Sequence, residues 1–274
     1  MSGFRYAICN ETFRDVSVER TIELARHYGY TGVEIAPFTI AADCRTIDSS
    51  RRAELRATIE RCGLETVGLH WLLAGTTGFH LTSDDPATRA RTADYLVDLG
   101  RLCRDLGGTL MVLGSPQQRN LPAGVTHDQG AERAAQVLRT ACRELESLGV
   151  TLAVEPLGPA EGNFLLTAEQ GIELIERVAS PACRLHLDVK AMSSESKPIP
   201  EIIRDSADHL VHFHANDANR RGPGMGEIGF EPILAALRQI DYRGWVSVEV
   251  FDYEPGPDAL AGGSLEYLKR CEPR

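Results

Sequence analysis

Residues 209–230 read HLVHFHANDANRRGPGMGEIGF. The stretch opens as a β-strand over 210–214. Alternation puts His212 and His214 on one face and Val211 and Phe213 on the other. It then breaks into a polar loop carrying Asn216, Asp217, Asn219, Arg220 and Arg221, and ends in the run Gly222-Pro223-Gly224-Met225-Gly226. A histidine closing a strand ahead of a loop of polar side chains and glycines is how an α/β barrel furnishes its mouth. The competing reading is a solvated loop after a satisfied core histidine.

Working outward, the same strand-then-helix rhythm fills the chain. Apolar runs predict strands over 4–9, 32–35, 65–70, 109–113, 150–155, 184–188, 210–214 and 245–250. Between and after them, 3.6-residue periodicity predicts helices over 16–28, 50–62, 87–106, 128–148, 168–178, 199–207, 231–240 and 259–269. Ser49 or Ser50 is the expected cap of the second helix and Thr167 that of the fifth, while Gly29, Gly63, Gly107 and Gly149 read as stops. Alternating strands and helices imply a parallel sheet. Eight such units close a barrel, which takes roughly 250 residues, and the chain has 274. The expected architecture is therefore a single (β/α)8 TIM barrel domain over 1–274. A doubly wound open sheet is the runner-up. It calls for a glycine-rich phosphate loop after strand one, where this chain has Cys9-Asn10-Glu11-Thr12.

Bulk properties narrow the function. Hydrophobic content of 43% and charged content of 25% suit a soluble globular protein. A net charge of −10 argues against a nucleic-acid surface and against an anionic membrane surface. The opening MSGFRYAICN has no charged segment followed by a long apolar run, so no signal peptide is expected, and no apolar stretch is long enough to span a bilayer. Seven cysteines are scattered singly with no C-x-x-C spacing, which suits a reducing cytoplasm.

The charged residues fall at the strand ends. Strand five closes on Glu155, strand six on Asp188, strand seven on His214 and strand eight on Glu249. In a barrel these ends converge on one mouth. One carboxylate there is often a helix cap; four polar closures in four consecutive strands are harder to explain so. Buried carboxylates without a cation would repel one another. Two glutamates, an aspartate and a histidine make an O/N ligand set for one divalent ion: Mn²⁺ first, with Mg²⁺, Co²⁺ or Zn²⁺ as the other candidates. Such an ion polarises a carbonyl and stabilises the enediolate left when the adjacent C–H loses its proton. A glutamate on each side of that carbon can remove the proton from one face and return it to the other. Return to the same carbon is epimerisation; return to its neighbour is ketose–aldose isomerisation. Residue types leave both open.

At this point the chain resembles the sugar isomerase/epimerase superfamily with the xylose-isomerase-like barrel, most of all its D-tagatose/D-psicose 3-epimerase and hydroxypyruvate isomerase branch. The motifs are Val154-Glu155-Pro156 through Glu161 to Leu166-Thr167-Ala168, Leu187-Asp188, His212-Phe213-His214 through Arg220 to Gly226, and Val248-Glu249-Val250-Phe251. The resemblance spans essentially the full length. It implies that Glu155, Asp188, His214 and Glu249 bind metal and that Glu155 and Glu249 are the acid/base pair. It also implies substrate contacts by Glu161, six residues after the first metal glutamate, and by Arg220, six after the metal histidine. Those epimerases place a substrate-binding histidine three residues after the metal aspartate. Here that position is Ala191, and Lys190 is the nearest polar substitute.

Secondary candidates share the mouth. Glu34 ends strand two, and His70 ends strand three as an expected substrate contact. Trp71 and Phe38 are candidates to stack on a sugar face, or simply to pack. His80 lies in the long loop after strand three. His186 and His212 stand two residues before Asp188 and His214, on the same side but deeper. Arg119 is expected on the solvated surface. The expected partner is a small-molecule sugar, in a homo-dimer or homo-tetramer, with no nucleic acid and no membrane. The leading reading is a metal-dependent sugar isomerase/epimerase. The alternatives are a lyase or hydratase on a keto-glycoside or keto-inositol, a phosphodiesterase resembling endonuclease IV, and a non-catalytic sugar-binding barrel.

Overall fold

The computed structural model describes residues 3–273. The first two residues and the last of the expected 1–274 span lie outside the described residues. Eight parallel strands close into a barrel in chain order, β1 to β8, with β1 completing the ring against β8. They are β1 Arg5–Cys9, β2 Gly32–Ile35, β3 Glu65–Leu69, β4 Leu110–Leu113, β5 Thr151–Val154, β6 Cys183–Asp188, β7 Leu210–Ala215 and β8 Trp245–Val248. The helices between them are α1 Val18–His27, α2 Ser49–Arg61, α3 Pro86–Asp105, α4 His127–Leu148 and α5 Ala168–Val178. After β6 come the short α6 Val189–Met192 and α7 Ile199–Asp205. Then follow α8 Glu231–Gln239 and α9 Ser264–Cys271. None of the helices among the described residues is long and apolar enough to cross a membrane.

Local chemistry sets the helix starts. Ser17, Asp85, Thr126 and Thr167 each accept a backbone N–H of the first turn they cap. The cap of α2 is Asp48, not Ser49 or Ser50: its carboxylate accepts the Arg51 N–H at 2.8 Å, so the serines fall inside the helix. The expected last helix begins as a π-helical turn over Asp258–Gly263 before α9.

Two apolar layers result. The larger lies between sheet and helices, with Phe213, Leu187, Val248, Leu138 and Ile22 all fully or almost fully buried in it. A smaller cluster, Ala7, Val67, Leu110, Val112, Ala153 and Trp245, is drawn from five strands and fills the barrel interior. At one point β3 and β4 approach so closely that a Cβ on Gly68 would sit 1.7 Å from the Leu110 carbonyl oxygen, so only glycine fits there. The period of two carries this inner face upward: from Ala7 to Cys9, from Val112 to Gly114, from Ala153 to Glu155 and from Trp245 through Ser247 to Glu249. The apolar interior thus turns polar at the C-terminal end of the strands.

Candidate active site

β5 and β8 stop one residue short of Glu155 and Glu249, whose N–H groups still donate to the Leu113 and Ala215 carbonyls at 3.2 and 3.3 Å. Both glutamates nevertheless remain almost fully buried, as do Asp188 and His214. Glu155, Asp188, His214 and also His186 offer ligand atoms that all lie within 4.8 Å of one another. Glu249 joins through His214, whose Nδ1 is 3.0 Å from Glu249 Oε2. The four residues read at the strand ends are therefore brought together.

The neighbours orient them. Asp188 caps α6, accepting the Ala191 N–H at 2.8 Å, and its other oxygen accepts Asn216 Nδ2 at 2.5 Å. The carboxylate keeps lone pairs beyond those two bonds. Trp71 Nε1 donates to Glu249 Oε1 at 2.7 Å. Glu34 lies behind the histidines: one oxygen is 2.6 Å from His212 Nε2 and the other 3.1 Å from His214 Nε2. A carboxylate on the far nitrogen of a ligand histidine fixes both tautomer and ring plane. Gly114 matters by what it lacks, since a Cβ there would stand 2.2 Å from Glu155 Oε2.

The charge balance asks for a cation. Burial, together with the charges of Glu249 and Asp188, pushes the Glu155 carboxyl well above its usual range. Burial also raises Asp188, against the pull of Lys190. For His214 burial opposes the charged ring, but Glu249 and Glu34 outweigh it and push it well up. Three buried carboxylates and an imidazole form an oxygen-rich set that fits a divalent ion.

Above this floor lies a cavity of about 440 Å³ lined by Glu155, Glu249, Glu161, Arg220, Trp71 and Phe251. Lys190 reaches toward it: its Nζ is 2.7 Å from Glu161 Oε1 and 4.5 Å above the Phe251 ring. Glu161, Arg220 and Lys190 are thus assembled at one opening. Residues 22–271 match the xylose isomerase-like TIM barrel family.

The chain belongs to that family.

Across 272 residues it is 26% identical to a probable ketose 3-epimerase of Synechocystis sp., covering 92% of this chain and 90% of that protein. It is likewise 26% identical to an L-ribulose 3-epimerase of Methylomonas sp., over 92% and 90% of the two chains. A solved L-ribulose 3-epimerase superposes with a TM-score of 0.86 at 26% identity, over 98% of this chain and 96% of that one. Curated relatives of this family member are epimerases and isomerases.

His70 is fully buried, with its Nε2 2.5 Å from Glu11 Oε2 and its Nδ1 without a hydrogen-bond partner. One reading is corrected. Arg119 is buried rather than solvated, its guanidinium donating to main-chain carbonyls of Leu113, Glu155 and Leu165. Deep burial fits His186 and His212; both ring nitrogens of His186 lack hydrogen-bond partners. His80 is half-buried, beside Thr82.

Sequence reasoning passed over Glu11 and Asn216. Glu11 sits two residues beyond Cys9, in the turn after β1, and Asn216 two beyond His214. The period of two that picks out the strand-end residues points to Asn216, whereas Glu11 lies in a 3₁₀ turn that breaks it. Of these supports, Glu34 invites a direct test. Glu34→Gln is expected to weaken Mn²⁺ binding about 10–100-fold, read by calorimetric titration of metal into the purified protein. Unaltered affinity would show that His214 is held without it.

Proposed function

We propose that this chain is a divalent-metal-dependent epimerase of a keto sugar, moving a proton at the carbon next to the carbonyl. The observation that carries this is the pairing of Glu155 and Glu249 on one cavity of about 440 Å³, directly above the buried Asp188 and His214. Glu155, Asp188, His214 and Glu249 would hold the ion, Mn²⁺ being the best match to the donor set. When bound, it supplies the Lewis acidity that makes the neighbouring C–H acidic.

The chain's own groups do the rest. Glu155 and Glu249 take and return the proton. Their burial keeps bulk water from competing for it. Glu161 and Arg220 position the sugar hydroxyls. Lys190 offers a fixed cation and three N–H donors, where Ala191 provides no polar group. The aromatic faces of Trp71 and Phe251 line the same cavity and suit the C–H face of a sugar. Seven free thiols suit a cytoplasmic place in carbohydrate metabolism.

The relatives support epimerisation more than the lyase or endonuclease IV-like readings, and the acidic charge of −10 also weighs against a DNA substrate. The test is exchange of substrate hydrogen with D₂O, followed by NMR over a panel of ketoses. Metal-loaded protein should incorporate deuterium next to the carbonyl and form the epimer. Chelation should abolish exchange and Mn²⁺ restore it. Exchange that is indifferent to chelation would defeat the proposal, as would product that has lost water.

A further inference from the structure

The mouth holds a second compartment. A cavity of about 510 Å³ adjoins the first, and Trp71, Arg220 and Phe251 line both. Either volume alone falls in the ~300–1,000 Å³ range of small-ligand sites. A single ketose over Glu155 and Glu249 therefore leaves the second compartment unfilled.

Its lining is specific. Among the described residues, the large hydrophobic side chains that remain exposed are Val16, at 45%, and Phe38, at 38%. Both line this compartment. An aromatic row runs out of the first compartment into the second: Phe251 to Trp71 at 6.0 Å, nearly parallel at 18°, then Trp71 to Phe38 at 5.7 Å. Tyr253 lies on the far wall under the Arg14 guanidinium, 4.8 Å away. The charges on the walls are balanced, Arg14 and Arg220 against Glu11 and Asp15, so no net positive field invites an anion. Backbone strain gathers here as well. Asp15, Trp71 and Arg220 all have left-handed φ, at 62°, 50° and 72°. Non-glycine residues hold such angles where the surroundings over-determine them, and functional clefts are where they collect. At Arg220 the fixing contacts are visible: its carbonyl accepts the N–H groups of Phe251 and Asp252, at 2.8 and 3.0 Å.

From this we infer that the second compartment binds a ring carried by the substrate, so that the substrate is a keto-glycoside with a neutral cyclic aglycone rather than a bare ketose. The inference rests on the proposed epimerase reading and adds the substrate class to it. The keto sugar lies over the two glutamates, and the aglycone lies past Trp71 against Phe38 and Val16. A hexose ring and a phenyl ring both offer the apolar face that such walls recognise.

The test compares methyl, phenyl and glucosyl 3-keto-glucosides, with D-fructose alongside, by deuterium uptake next to the ketone on the Mn²⁺-loaded protein. The ring-bearing glycosides should show kcat/KM about tenfold or more above the methyl glycoside. The better of the two names the ring as aromatic or sugar. Phe38→Ala and Val16→Asp should each drive the ring-to-methyl ratio toward unity, with a melting curve confirming that each variant is folded. Equal rates for all three glycosides would overturn the inference, and so would a ratio that neither variant moves. Exchange with D-fructose but with none of the glycosides would also overturn it while leaving the epimerase reading intact. Exchange with no sugar at all would remove the epimerase reading itself.

Discussion

Glu155→Gln and Glu249→Gln are each expected to lower turnover about 100-fold or more, the usual cost of losing a positioned acid or base. Glutamine keeps the size of the side chain and can still accept from a neighbour, so packing around the site is preserved. The two changes should nevertheless differ in detail. Glu249 also receives Trp71 Nε1 and sits against His214 Nδ1, so its replacement disturbs the wall between the two compartments as well. Glu155 has no such side-chain donor; its carboxylate fits into the space left by Gly114. Metal content measured on both variants separates lost proton transfer from lost ion. The proposed two-glutamate scheme assigns one glutamate to each face of the reacting carbon, so each variant should retain wash-out of hydrogen from one epimer and lose it from the other. Near wild-type turnover by either variant on a confirmed substrate would end the two-glutamate scheme.

The reason so much of this site is legible in the sequence is geometric. A barrel strand exposes alternate residues to one interior, so a polar residue closing an apolar run has few places to point. That rule located Glu155, Asp188, His214 and Glu249 across some ninety positions of chain, and β2 falls on the predicted 32–35. What the rule does not supply is depth. His70 and Trp71 are adjacent in sequence, yet the left-handed φ of Trp71 turns its indole into the mouth while His70 stays beneath, against Glu11. Glu11 was hidden for a related reason: β1 ends at Cys9 and a turn of 3₁₀-helix follows, so the glutamate belongs to no apolar run. At α2 the cap is Asp48 where Ser49 or Ser50 was expected, and since aspartate and serine cap about equally well, pattern alone does not rank them.

Arg119 is the sharpest divergence, and its replacement is expected to cost more stability than any surface change. The loop 114–119 looks solvated because Gly114, Ser115, Pro116 and the two glutamines are turn-forming or polar. The side chain instead folds under that loop, 2% exposed, with Nη1 2.5 Å from the Glu155 carbonyl oxygen and Nη2 3.4 Å from that of Leu165. Burial lowers the guanidinium to about 10, against the pull of Glu155 and Glu161, and it remains a cation at neutral pH. It therefore ties β4, the residue after β5 and the loop before α5 together from beneath the mouth. Arg119→Met fills similar space but takes a donor from the Glu155 carbonyl and a nearby cation from the buried carboxylates, while the Leu113 and Leu165 carbonyls keep the backbone N–H groups of Glu155 and Leu157. Leaving a buried carbonyl short of its donor costs about 1–3 kcal/mol, which for a chain of this size corresponds to a fall in melting temperature of roughly 2–10 °C. Arg119→Lys should fall between, because an ammonium keeps the charge and loses the fork that reaches separate carbonyls. Differential scanning calorimetry reads both. A midpoint within a degree or two of the parent for Arg119→Met would mean that the arginine lies in solvent, as the turn chemistry around it suggests. Glu155 would then need some other anchor for its main chain.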